Sequence, residues 1–112
     1  LIRVSIQCNF NGVGGSTANF QLFRDTTAIG LGDAAGSRSR YSASMAANNA
    51  DTIDTVEFEF LDTPGSAAAF TYKVQANGSS ASNLFINRSA TDTDSAAFVR
   101  TISTITCTEV KG

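Results

Sequence analysis

The chain has 112 residues, a net charge of −2 and no His. Its length suits one domain, residues 1–112. The lack of His removes imidazole as base, proton shuttle or metal ligand, and two Cys are too few for a Cys₄ or Cys₂His₂ zinc site within one chain.

The dominant periodicity is two. In residues 1–10, Ile2, Val4, Ile6, Cys8 and Phe10 fall on one face and Arg3, Ser5, Gln7 and Asn9 on the other, the pattern of a half-buried strand. A Gly-rich loop, residues 11–16, follows. Residues 18–24 alternate again with Phe20 and Leu22 inward, residues 25–27 read as a turn, and residues 28–31 as a short strand. After the polar loop 32–39, residues 40–46 alternate through Tyr41, Ala43 and Met45, and residues 47–51 form another turn. Residues 53–61 are predicted as a second strong strand, with Val56, Phe58 and Phe60 on one side and Glu57 and Glu59 on the other. A Pro-Gly turn at residues 62–66 precedes a strand marked by Phe70, Tyr72, Val74 and Ala76. Residues 84–87 form a short strand and residues 90–96 an acidic loop. Residues 98–110 read as a long last strand with a bulge, because Ile102 and Ile105 have opposite parity.

About eight strands at this spacing predict an all-β antiparallel sandwich. An immunoglobulin-like arrangement is disfavoured, since Trp is absent and the two Cys lie near the chain ends. A jelly roll, whose first and last strands can lie side by side, fits better. If those strands pair, Cys8 and Cys107 could form a disulfide, which the entropic treatment values at about 4–5 kcal/mol. The alternative is two free thiols serving as small apolar side chains.

Composition and motifs argue against catalysis. Charged residues make up 16% of the chain, below the usual quarter, and 13 Ser, 13 Thr and 8 Asn take their place. Lys and Arg are scattered, so nucleic acid is not an expected partner. No apolar run approaches the ~20 residues of a membrane helix, so membrane insertion is not expected either. The chain opens on Leu1 with no basic segment leading an apolar one, and reads as a mature or excised fragment. Gly30-Leu31-Gly32-Asp33-Ala34-Ala35 fits G-x-G-x-x-A in letters only, because Gly36-Ser37 follows where a helix would have to open. Glu57 and Glu59 share a strand face, as glycosidase carboxylates can, but their alternation with Val56, Phe58 and Phe60 describes the wet side of a sheet. Asp92 and Asp94 stand at i and i+2 in a loop. There they either hold Ca²⁺ in an irregular site, since the EF-hand Gly and Glu are missing, or cap turn N–H groups. No cofactor is expected.

The carboxyl-terminal half carries a resemblance. Leu61-Asp62-Thr63-Pro64 leads to Thr71-Tyr72-Lys73-Val74-Gln75, then Leu84-Phe85-Ile86-Asn87-Arg88-Ser89. Asp92-Thr93-Asp94 then leads to a closing strand with Ser103, Ile105, Glu109 and Val110. This order, over residues 56 to 110, resembles the terminal domains of virion structural proteins of tailed bacteriophages. The resemblance implies a jelly roll similar to the C1q and tumour-necrosis-factor class, usually a homotrimer on the virion, in a tail fibre, an appendage or a capsid decoration among other virion proteins. The abundance of Phe fits this reading: a trimer would bury Phe58, Phe60, Tyr72 and Phe85 near its axis, and the alternative is that the aromatic residues fill one monomeric core. Binding to a host-surface glycan would come from distal loops, residues 12–16, 32–39 and 77–82. The competing expectation is a secreted bacterial carbohydrate-binding or adhesion module.

Overall fold

The structure is a computed structural model, described here for residues 1–12, 17–46, 49–79 and 83–112. Among these residues it holds eight strands and no helix. They are β1 (Ile2–Gly12), β2 (Thr17–Arg24), β3 (Thr27–Ile29), β4 (Ala43–Ala46), β5 (Asp54–Asp62), β6 (Tyr72–Gly78), β7 (Leu84–Ile86) and β8 (Thr104–Glu109). Two antiparallel sheets result, each built around one long strand. In the first, β1 is flanked by β5 on one side and by β8 and β7, end to end, on the other. In the second, β2 is flanked by β6 on one side and by β3 and β4, again end to end, on the other. The fold is thus an all-β sandwich, and the first and last strands do pair.

Alternation decides which side chains meet, because residues directly opposite in an antiparallel pair share a face. Val4, Ile6, Cys8 and Phe10 of β1 and Ala18, Phe20 and Leu22 of β2 are buried between the sheets. Phe10 and Phe20 meet edge to face at 5.3 Å, in the geometry aromatic pairs favour. Val56, Phe58 and Phe60 lie opposite Cys8, Ile6 and Val4, which puts them on the core side and leaves Glu57 and Glu59 exposed.

The last strand differs from its expected length. Only Thr104–Glu109 is strand, and no bulge is needed. Ser103 Oγ accepts the Asn9 N–H at 3.0 Å where a ladder carbonyl would otherwise stand, and Thr101 N–H donates to the Asn87 carbonyl at 3.0 Å. These two contacts pull residues 101–103 out of the ladder. Ile102 is 72% exposed. Its parity opposes that of Ile105 because it does not belong to the core face.

Gly30 follows β3 with a φ of +59°, and a Cβ there would come within 3.0 Å of the Phe60 ring. The glycine therefore lets the β3 end close down on β5, along one side of the sandwich.

Candidate functional site

The other side of the sandwich stays open. Among the described residues β6 and β8 are both edge strands, each paired on one flank. Between them runs a cleft of about 520 Å³ lined by Ile6, Tyr72, Val74, Ile86 and Ile105 among others. It continues into a second hollow of about 310 Å³ bordered by Ile2, Phe70, Tyr72, Ile105 and Cys107. Ile105 lies opposite the buried Ile6, on the core face of its sheet, yet is 44% exposed. The inner faces of the two sheets are thus less closely packed along this side than beside Gly30.

One end of the cleft is fixed by a polar clasp between the sheets. Arg24 Nη1 donates to both carboxylate oxygens of Asp62 at 2.7 Å, and Tyr72 Oη donates to Asp62 Oδ2 at 2.7 Å. Asp62 is 4% exposed, so its charge is held by paired donors rather than by water. Burial, then the hydrogen bond to Asp62, pushes the Tyr72 phenol up to about 12.

The four aromatic residues expected to act together are separated. Phe58 and Phe60 pack on the core clusters, and Tyr72 packs on one of them while lining the cleft. Phe85 lies opposite Asn11 on the outer face, with the Arg88 guanidinium 4.5 Å above its ring. Phe85 is thus neither core nor cleft.

Of the two alternatives for the cysteines, the structure holds free thiols and no disulfide. The strands carrying them pair, but the register puts Cys107 opposite Val4, while Cys8 faces Val56 on the other flank. Four residues of strand separate Val4 from Cys8, about 13 Å at the usual rise, far beyond bridging reach. Cys8 is buried beside Ser103, and that burial raises its thiol pKa; Cys107 is exposed in the cleft.

At Asp92 the structure places neither a cation nor a turn N–H but arginines. Both Asp92 oxygens are taken by arginines: Arg88 Nη1 at 2.7 Å and Arg100 Nε and Nη2 at 3.0 and 2.5 Å. Two guanidiniums on one carboxylate repel a divalent cation, and they hold the Asp92 carboxyl below its usual range. Among the described residues no group of three His, Cys, Asp or Glu is placed to hold a metal. No helix there is long and apolar enough to cross a membrane.

Of the three loops expected to contact a host surface, residues 13–16 and 80–82 lie outside the described residues, as do residues 47–48 of the turn before β5. The loop 32–39 is described and exposed apart from its neighbour Leu31. Sequence reading missed the outer face of β2. Asn19, 7% exposed, lies there between Ser44 and Asn77. Polar letters at the outward positions of β2, β4 and β6 were the available signal.

Comparisons with protein-family models, curated proteins and solved structures return no match.

Proposed function

We propose that the chain is a non-enzymatic structural module whose sandwich is completed by further copies of itself, as a homotrimeric, jelly-roll-type component of a bacteriophage virion. The observation that carries the assembly reading is the exposed apolar lining of the cleft, where Ile86 is 43% and Ile105 44% exposed, and the total exposed area points the same way. A folded monomer of 11.7 kDa exposes about 5,900 Å² by the usual size scaling. This chain exposes 6810 Å². The excess is comparable with the roughly 800 Å² that each partner contributes to a standard interface. The radius of gyration, 15.6 Å, also exceeds the about 13 Å of a compact chain of this length. The open cleft between β6 and β8 is the natural place for this excess to be covered, and a second copy is its occupant. The virion assignment rests on the order of residues from 56 to 110, and the location on the particle is a tail fibre, an appendage or a capsid decoration.

Light scattering across a size-exclusion peak tests the reading. A mass three times 11.7 kDa is expected. Ile105→Glu, which sets a charge in the cleft, should give a folded monomer. A monomeric wild-type chain would overturn the assembly and move the adhesion-module reading to first place.

A further inference from the structure

On the sheet opposite the β1 face, the polar residues outside β2 form a depression of about 760 Å³, bordered by Thr17, Asn19, Arg38, Tyr41, Ser44 and Ser79. Its residues Ser44, Asn19 and Tyr41 are joined by a hydrogen-bonded relay through Asn77. Ser44 Oγ donates to Asn19 Oδ1 at 2.7 Å, Asn19 Nδ2 donates to Asn77 Oδ1 at 3.2 Å, and Asn77 Nδ2 donates to Tyr41 Oη at 3.2 Å. The relay fixes the side chains without exhausting them. The Tyr41 oxygen receives a proton from Asn77, so its own hydroxyl proton is left to donate elsewhere. Each amide nitrogen has a second proton, and Ser44 Oγ keeps its lone pairs. Donors and acceptors therefore alternate across a preorganised surface beside one half-buried aromatic ring.

A sugar presents the complement, since every hydroxyl both donates and accepts and its C–H face packs on an aromatic ring. The charge at the rim narrows the class. Arg38 is exposed, and among the described residues its guanidinium has no carboxylate within ion-pair distance. The other arginines of the chain are engaged: Arg3, Arg24, Arg88 and Arg100 with carboxylates, and Arg40 through Nε with the Gly32 carbonyl at 2.5 Å. A guanidinium left open beside a polar depression matches a carboxylate bidentately.

We infer that this depression is a binding site for a carboxylate-bearing saccharide, with Arg38 on the carboxylate, Tyr41 against the sugar ring, Asn19 and Ser44 on its hydroxyls, and Asn77 holding Asn19 and Tyr41 in place. The inference rests on the reading of the chain as a surface module that displays this sheet outward. It places recognition on a sheet face rather than on loop tips alone.

The test is an amide-resolved NMR titration of the intact, assembled chain with galacturonic acid, N-acetylneuraminic acid and galactose, on a sample whose mass is first fixed by light scattering. At least one acidic sugar should shift the amides of Asn19, Tyr41 and Ser44 and bind at least about tenfold more tightly than galactose. Arg38→Gln should remove that preference while leaving the fold spectrum intact, and Tyr41→Ala should weaken all three sugars. Shifts elsewhere, equal binding of galactose, or no shifts with any of the three overturns the inference. A trimer without sugar shifts overturns this site alone. A monomer with them overturns the assembly alone.

Discussion

Tyr72 Oη donates to Asp62 Oδ2 at 2.7 Å, joining β6 of one sheet to the end of β5 in the other. The phenol's raised pKa gives the contact a pH signature. A group whose folded pKa lies above its unfolded value stabilises fully below the unfolded value and loses that contribution as pH rises through the folded one. With ordinary tyrosine near 10 and Tyr72 at about 12, the contribution should fade between about pH 10 and 12. Tyr72→Phe should cost about 1–3 kcal/mol near neutral pH by removing a donor from a buried carboxylate. Melting curves of both proteins should converge across that alkaline window. A difference that persists above it would show that packing, not the hydrogen bond, carries the effect.

Gly30 and Gly36 both have positive φ, +59° and +57°, but only Gly30 has a neighbour where a Cβ would go. Gly36→Ala should therefore cost only the backbone term, about 1–2 kcal/mol. Gly30→Ala should cost more, because the Phe60 ring must give way. Denaturant midpoints of the two variants measure the difference, and equal losses would remove the close approach of β3 to β5.

Asp92 is held by two arginines rather than by a cation. Adding Ca²⁺ or a chelator should leave the melting temperature unchanged. Asp92→Asn should lower it near neutral pH. The depressed carboxyl contributes above its unfolded pKa and loses that contribution as pH falls through the folded one, so wild type and variant should converge in acid. A rise in melting temperature with Ca²⁺ would restore the metal site.

Cys8 and Cys107 report on different places. Intact mass without reductant should show no loss of two hydrogens. Cys8 should resist alkylation until the chain unfolds. If copies of the chain cover the cleft as proposed, Cys107 should react slowly in the wild type and fast in Ile105→Glu. Fast reaction of Cys107 in the wild type would overturn the covering of the cleft by a second copy.

Much of the secondary structure was legible because strand alternation is local. Ile2 to Phe10 and Val56 to Phe60 mark their inner and outer faces without help from the rest of the chain, and Phe10, Phe20 and Leu22 reach the core as their parity implies. The clasp was not legible. Asp62 stood in a turn signal and Tyr72 among apolar letters, and only packing of the two sheets brings them to one carboxylate. Likewise, two Asp in a loop look the same whether a cation or a pair of arginines awaits them.

The amino-acid sequence by itself determined that this is an all-β chain, where its strands run and which side of each is apolar, since a period of two is written residue by residue. Only the tertiary structure decided register, and register decides chemistry. Because β8 pairs so that Cys107 faces Val4, there is no bridge. The sandwich is closed by Gly30 against Phe60 on one side and is left open beside Ile105 on the other. Asn19, Ser44 and Asn77 come from three strands and become one surface only when those strands align. Such juxtapositions depend on contacts between residues far apart in the chain, and no local pattern encodes them.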